Sequence, residues 1–110
     1  MGLGLTASPA LAACRVAPAQ DVAAAKTVAR SAALAALARL KTAYAERYTG
    51  VRYSVTVAQS RVQGNVASVT SQASINVIDR ASGRPEHYTY RAVIHLARFG
   101  CSWRAVSYDF

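Results

Sequence analysis

The stretch Thr49-Gly50-Val51-Arg52-Tyr53-Ser54-Val55-Thr56-Val57 decides the fold, because the hydrophobic period changes across it. Before Gly50, apolar residues recur at intervals of three and four. After it they alternate with polar ones, as in a strand with one wet face. The alternation resumes in Ala67-Val69-Ala73-Ile75-Val77 and in Tyr88-Tyr90-Ala92-Ile94-Leu96, and a last run spans Cys101 to Phe110. Gln63-Gly64-Asn65 is a hairpin turn signal. Asp79 to Glu86, with Ser82-Gly83 and Pro85, is a longer polar connection, and Arg98-Phe99-Gly100 is a third turn. Strands joined this closely pair as an antiparallel meander. One face is expected to lie on a helix, and the other to present Arg52, Ser54, Thr56, Thr70, Gln72, Asn76, Thr89 and Arg91 to water.

Upstream, Asp21 to about Tyr48 reads as one helix, with Asp21 as its N-cap and Thr49-Gly50 as its stop. Val22, Ala29, Ala33, Ala36, Leu37, Leu40 and Tyr44 form its apolar stripe, with Leu37, Leu40 and Tyr44 expected to supply most of the buried area. The expected fold class is therefore α+β, one long N-terminal helix packed on a curved four-stranded antiparallel meander sheet. A length of 110 residues fits one domain, taken as 21–110, after a signal-like or flexible segment at 1–20.

Residues Gly2 to Ala13 carry no charge and lead into Leu11-Ala12-Ala13-Cys14, which resembles a bacterial lipobox. That resemblance implies lipid attachment at Cys14, or simple cleavage near Ala10-Leu11-Ala12. Against it, Gly4, Ser8 and Pro9 interrupt the apolar run, and the segment lacks the basic start of a signal peptide. It is shorter than the roughly twenty apolar residues a spanning helix needs, so any membrane association would run through a lipid anchor. A disulfide between Cys14 and Cys101 is the competing use of the same cysteine and excludes lipidation. A third reading makes Cys101 a small buried hydrophobe. The expected location is exported, at a bacterial cell envelope, with the cytoplasm as the alternative.

Thirteen basic residues against five acidic ones give a net charge of +8. Eleven are arginines, spread along the chain rather than gathered in a nucleic-acid-binding tail. Such a charge favours an acidic partner. The acids are Asp21, Glu46, Asp79, Glu86 and Asp109, and the histidines His87 and His95. They are too scattered to make a paired-carboxylate site, and no cysteine or histidine spacing predicts a zinc site, so neither catalytic residues, metal nor cofactor is expected. His87, Arg91 and His95 share one strand face, but neighbours four apart stand about 13 Å from each other, too far to share one ion. With Arg52 they form the candidate surface for an anionic partner.

The order of a long helix, a Gly-Asn hairpin, Ser82-Gly83-Arg84-Pro85 and a last strand holding Gly100-x-x-Trp103 resembles the nuclear transport factor two-like and cystatin-like folds, especially the small exported actinobacterial versions. The resemblance covers roughly residues 21 to 110. It implies a sheet curled around the helix into a cone; larger members enclose a pocket with extra helices, which are missing here. Cystatins carry Gln-x-Val-x-Gly in the first hairpin, whereas this chain has Ser60-Arg61-Val62-Gln63-Gly64. The function expected is a non-enzymatic binding domain for a protein partner or an anionic envelope polymer, with an isologous homodimer through the open sheet face. A small enzyme of the polyketide-cyclase type is the first alternative. A nucleic-acid-binding module is the second; its weakness is that Tyr53, Tyr88 and Tyr90 share the inward phase of the strands.

Overall fold

A computed structural model describes residues 16–109 and shows one helix packed on a four-stranded antiparallel sheet. Helix α1 spans Pro18–Ala43, followed by strands β1 (Tyr48–Gln63), β2 (Val66–Asp79), β3 (Pro85–Phe99) and β4 (Ser102–Asp109). The strands lie in the order in which they occur in the chain, an open meander. The signal-like run and Cys14 lie outside the described residues.

The helix begins earlier and ends earlier than the sequence pattern predicts. Pro18 opens it, as suits a residue with no N–H to leave unsatisfied, and Ala17 occupies the cap position without a side-chain bond. Asp21 is therefore not the N-cap; its amide already donates to Ala17 O at 2.9 Å inside the first turn. The other end closes at Tyr44, whose amide donates to Leu40 O at 3.0 Å. Gly50 does not stop the helix. It belongs to β1, where φ of +59° coincides with a break in register against β2 between Thr49 and Arg52.

Two hairpins close one end of the sheet in the same way. Gly64 and Asn65 bridge the Gln63–Val66 pair, and Gly100 and Cys101 bridge the Phe99–Ser102 pair. Each glycine takes a positive φ at the first loop position, the conformation a two-residue turn of the II′ kind demands. At the opposite end, the carboxylate of Asp79 accepts the amides of Ala81 at 2.8 Å and Ser82 at 3.2 Å, folding the β2–β3 connection. Arg80 Nε donates to Ala45 O at 2.9 Å, fixing that connection to the segment between α1 and β1.

The core sits under the N-terminal half of the helix. Ala25 and Ala29 are fully buried and let the helix approach Ala67, Val69, Ile94, Leu96 and Trp103 closely. Burying a side chain such as Ile94 or Leu96 stabilises by about 1.5–3 kcal/mol. This changes the expected weighting of the helix only in part: Leu37 is buried as expected, whereas Leu40 and Tyr44 are 45% and 52% exposed, and Ala25, which the predicted stripe omits, is central.

One cluster fixes the helix on the sheet. Arg98 Nη1 and Nη2 donate to Asp21 Oδ1 and Oδ2 at 3.1 and 2.7 Å, Nη2 also donates to Gly64 O at 3.0 Å, and Trp103 Nε1 donates to Asp21 Oδ1 at 2.9 Å. The Arg98 guanidinium lies 4.2 Å from the centre of the Trp103 ring. Asp21 thus joins α1 to β3 and β4, and Arg98 extends the cluster to the first hairpin. The Arg98 hydrogen bonds hold its carboxyl below the ordinary carboxylate range, against the opposing effect of burial, and raise the Arg98 guanidinium in turn.

Candidate functional site

Strand pairing sorts the charged residues onto two faces. On the outer face, away from α1, Arg52, Asn76 and His87 form one row across three strands. Thr56, Gln72 and Arg91 form another, and Arg61, Ser68, His95 and Ser107 a third that crosses all four. Arg104 stands opposite Ala97 on the same face. The four candidate residues Arg52, His87, Arg91 and His95 therefore share one surface, among serine, threonine, asparagine and glutamine side chains.

The histidines of that surface have protein partners. His87 Nδ1 lies 2.8 Å from Asn76 Oδ1, and its Nε2 lies 3.2 Å from Thr89 Oγ1. His95 Nε2 stands 2.6 Å from Asp109 Oδ2. Asp109 is the one acid placed on the outer face among the described residues. Asp21 lies under the helix, Glu86 takes the inward phase of β3, and Glu46 and Asp79 lie at the far end of the sheet.

Arg61 belongs to this surface although simple alternation misplaces it. Counting by twos from Val51 puts odd residues inside, yet the register against β2 shifts between Val57 and Gln59 and reverses the phase. Val62 then faces the core, and Arg61 faces water. The signal was present in the sequence as a spacing of five positions, rather than an even number, from the inward Val57 to the inward Val62. A second shift, between His95 and Leu96, leaves Val106 as the extra residue of β4, 56% exposed.

The inner face divides into a covered half and an open half. Beyond the reach of α1, Tyr44, Tyr48, Tyr88 and Tyr90 form a chain of rings with centroids 6.4, 6.5 and 6.4 Å apart. The Tyr48 and Tyr88 hydroxyls lie 3.4 Å apart, and Tyr88 donates a short hydrogen bond to Glu86. That bond, chiefly, raises the Tyr88 hydroxyl above its ordinary pKa, with Tyr48 adding to it. Tyr88 and Tyr90 do share the inward phase, as the alternation predicts, but Tyr90 is 47% exposed because the helix does not cover it.

Cys101 is exposed in the β3–β4 turn and is disulfide-bonded, which replaces the reading of a small buried hydrophobe at the start of a strand. Among the described residues, no three His, Cys, Asp or Glu side chains gather where they could hold a metal ion. Nor, among those residues, is any helix long and apolar enough to cross a membrane.

These features define an α+β domain of one helix on an open meander, with a basic polar outer face and a half-covered, tyrosine-bearing inner face. The chain matches no family model, and no curated protein or solved structure is significantly similar to it.

Proposed function

We propose that this chain is a non-enzymatic, exported or envelope-associated binding domain whose outer sheet face takes up an anionic envelope polymer. The observation that carries this reading is the segregation of charge: Arg52, Arg61, Arg91 and Arg104 share that face with His87 and His95, and the acid placed beside them, Asp109, is spent on His95. An array of guanidinium groups spaced among short hydroxyl and amide side chains offers both charge and hydrogen bonds to an extended polyanion. The disulfide at Cys101 supports an oxidising compartment. Helix-first order and the curved meander support placing the chain with the small cystatin-like domains of the nuclear transport factor two-like group.

Binding of the oxidised protein to inorganic polyphosphate and to a neutral glucan tests the reading. The expected result is retention of polyphosphate alone, weakening with added salt. R52E/R91E should lose affinity by roughly tenfold or more, because charges in the contact are reversed. R30E/R39E changes net charge equally, but on exposed helix positions, and should lose far less. Equal losses in the two variants would mean that only overall charge matters and would sink the assignment of the face.

A second reading is favoured by one observation. Glu86 lies on the inner face in a hydrogen-bonded chain with Tyr88 and Tyr48, the acid that a pocket enzyme of the polyketide-cyclase type would require. The open half of the inner face, however, offers little to exclude water from a reaction there.

A further inference from the structure

We propose that the tyrosine cluster on the open half of the inner face binds a small quaternary ammonium compound of the choline class, seated on the ring faces beside the Glu86 carboxylate. Centroids 6.4 to 6.5 Å apart bring neighbouring rings within reach of one cation, since an aromatic face attracts a positive charge within about 6 Å of its centre. The cluster already holds one cation: the Arg47 guanidinium lies 5.2 Å from the centre of the Tyr48 ring. Among the described residues, no cation lies over Tyr88 or Tyr90. Those two rings are nearly parallel, with 20° between their planes, and Tyr90 is 47% exposed. Ala73, its partner across the β2–β3 ladder, is too small to cover it.

Charge decides which ligand these rings suit. Glu86 is half-buried beside them and accepts the hydrogen bond of the Tyr88 hydroxyl. Among the described residues the ion pairs are Arg98 with Asp21 and His95 with Asp109, so the Glu86 carboxylate has no cationic partner in a chain of net charge +8. Two arginines at this end of the sheet are engaged elsewhere, Arg47 on the Tyr48 ring and Arg80 Nε on Ala45 O at 2.9 Å. A half-buried carboxylate among aromatic faces attracts cations, the reverse of the outer face. A primary ammonium is strongly hydrated and needs several acceptors in place of water, whereas this carboxylate already serves Tyr88. A quaternary ammonium donates no hydrogen bond and is held by ring faces and a single negative charge. The site shares no residue with the outer face, so it stands or falls apart from polyanion binding.

The test is a titration of the protein with choline chloride at constant ionic strength, following the tyrosine ring resonances by NMR. The control ligand is 3,3-dimethyl-1-butanol, the uncharged carbon analogue of the same shape. Choline should shift the Tyr88 and Tyr90 resonances saturably, and the neutral analogue should bind roughly fivefold or more weakly. This comparison uses the wild type and so does not depend on any variant folding. Y90S changes an exposed position, and E86Q keeps an acceptor oxygen for Tyr88 while removing the charge; each should raise the choline dissociation constant roughly threefold or more. R52E/R91E should bind choline as the wild type does. Ring resonances that do not move overturn the proposal, as does equal affinity for the neutral analogue, which would mark a merely apolar patch. Affinity unchanged in Y90S or in E86Q also overturns it, as does loss of choline binding in R52E/R91E. Polyphosphate binding by a protein that ignores choline would leave the outer-face reading standing while this one falls.

Discussion

Replacing Asp21 by Ala should destabilise the domain more than any other single change to a charged side chain described here. The substitution leaves Arg98, whose side chain is only 10% exposed, without its carboxylate, and removes the acceptor of the Trp103 indole N–H. Breaking a buried ion pair by deleting one partner costs about 3–5 kcal/mol, and the residual exposure of both groups argues for the lower figure, about 3 kcal/mol. For a domain of this size that corresponds to a fall of about 12 °C or more in melting temperature. Urea and thermal unfolding followed by far-UV circular dichroism, at neutral and acid pH, would measure it. The pH dependence has a definite sign. Because the Asp21 carboxyl is held below its ordinary value of 3.8, its contribution is fully present above that value and is lost as pH falls through the depressed folded pKa. The gap between wild type and D21A should therefore stay constant near neutrality and close only in strong acid. R98M combined with D21A should cost less than the sum of the two single changes, by about 1 kcal/mol or more. A D21A protein within about 0.5 kcal/mol of wild type at neutral pH, the range of ordinary surface changes, would refute the claim that this cluster holds the helix to the sheet.

Two further stability predictions follow from the placement of the core and the first bulge. Leu96→Ala should cost about 2–5 kcal/mol because the side chain is 1% exposed, whereas Leu40→Ala, at 45% exposure, should cost under about 1 kcal/mol; urea midpoints that rank them the other way would place the core under the wrong half of α1. Gly50→Ala should destabilise by about 1–2 kcal/mol, since its φ is +59° and an added Cβ would stand 3.1 Å from Ile78 Cδ1; an unchanged melting temperature would show that the bulge relaxes at no cost.

The sequence by itself determined the class of the fold and the composition of the outer face. Alternation is a local consequence of strand geometry, so the inward series Val69, Ile75, Val77 and Ile94, Leu96 and the outward Arg52, Thr56, Gln72 and Arg91 were readable from spacing alone. The hairpin at Gly64-Asn65 was readable too, because so tight a turn leaves few residues able to make it. Only the tertiary structure decided the rest. Asp21 suits a helix cap by residue type, yet its carboxylate serves Arg98 and Trp103, some eighty residues away, a pairing that spacing along the chain does not encode. Leu40 and Tyr44 lie on the helical stripe, but how far a helix is buried depends on what the sheet places beneath it. Arg61 reached the outer face through a single extra residue that reversed the phase of β1. Each of these outcomes depends on where one element ends relative to another, and that relation is set by packing between distant segments rather than by the local period of either.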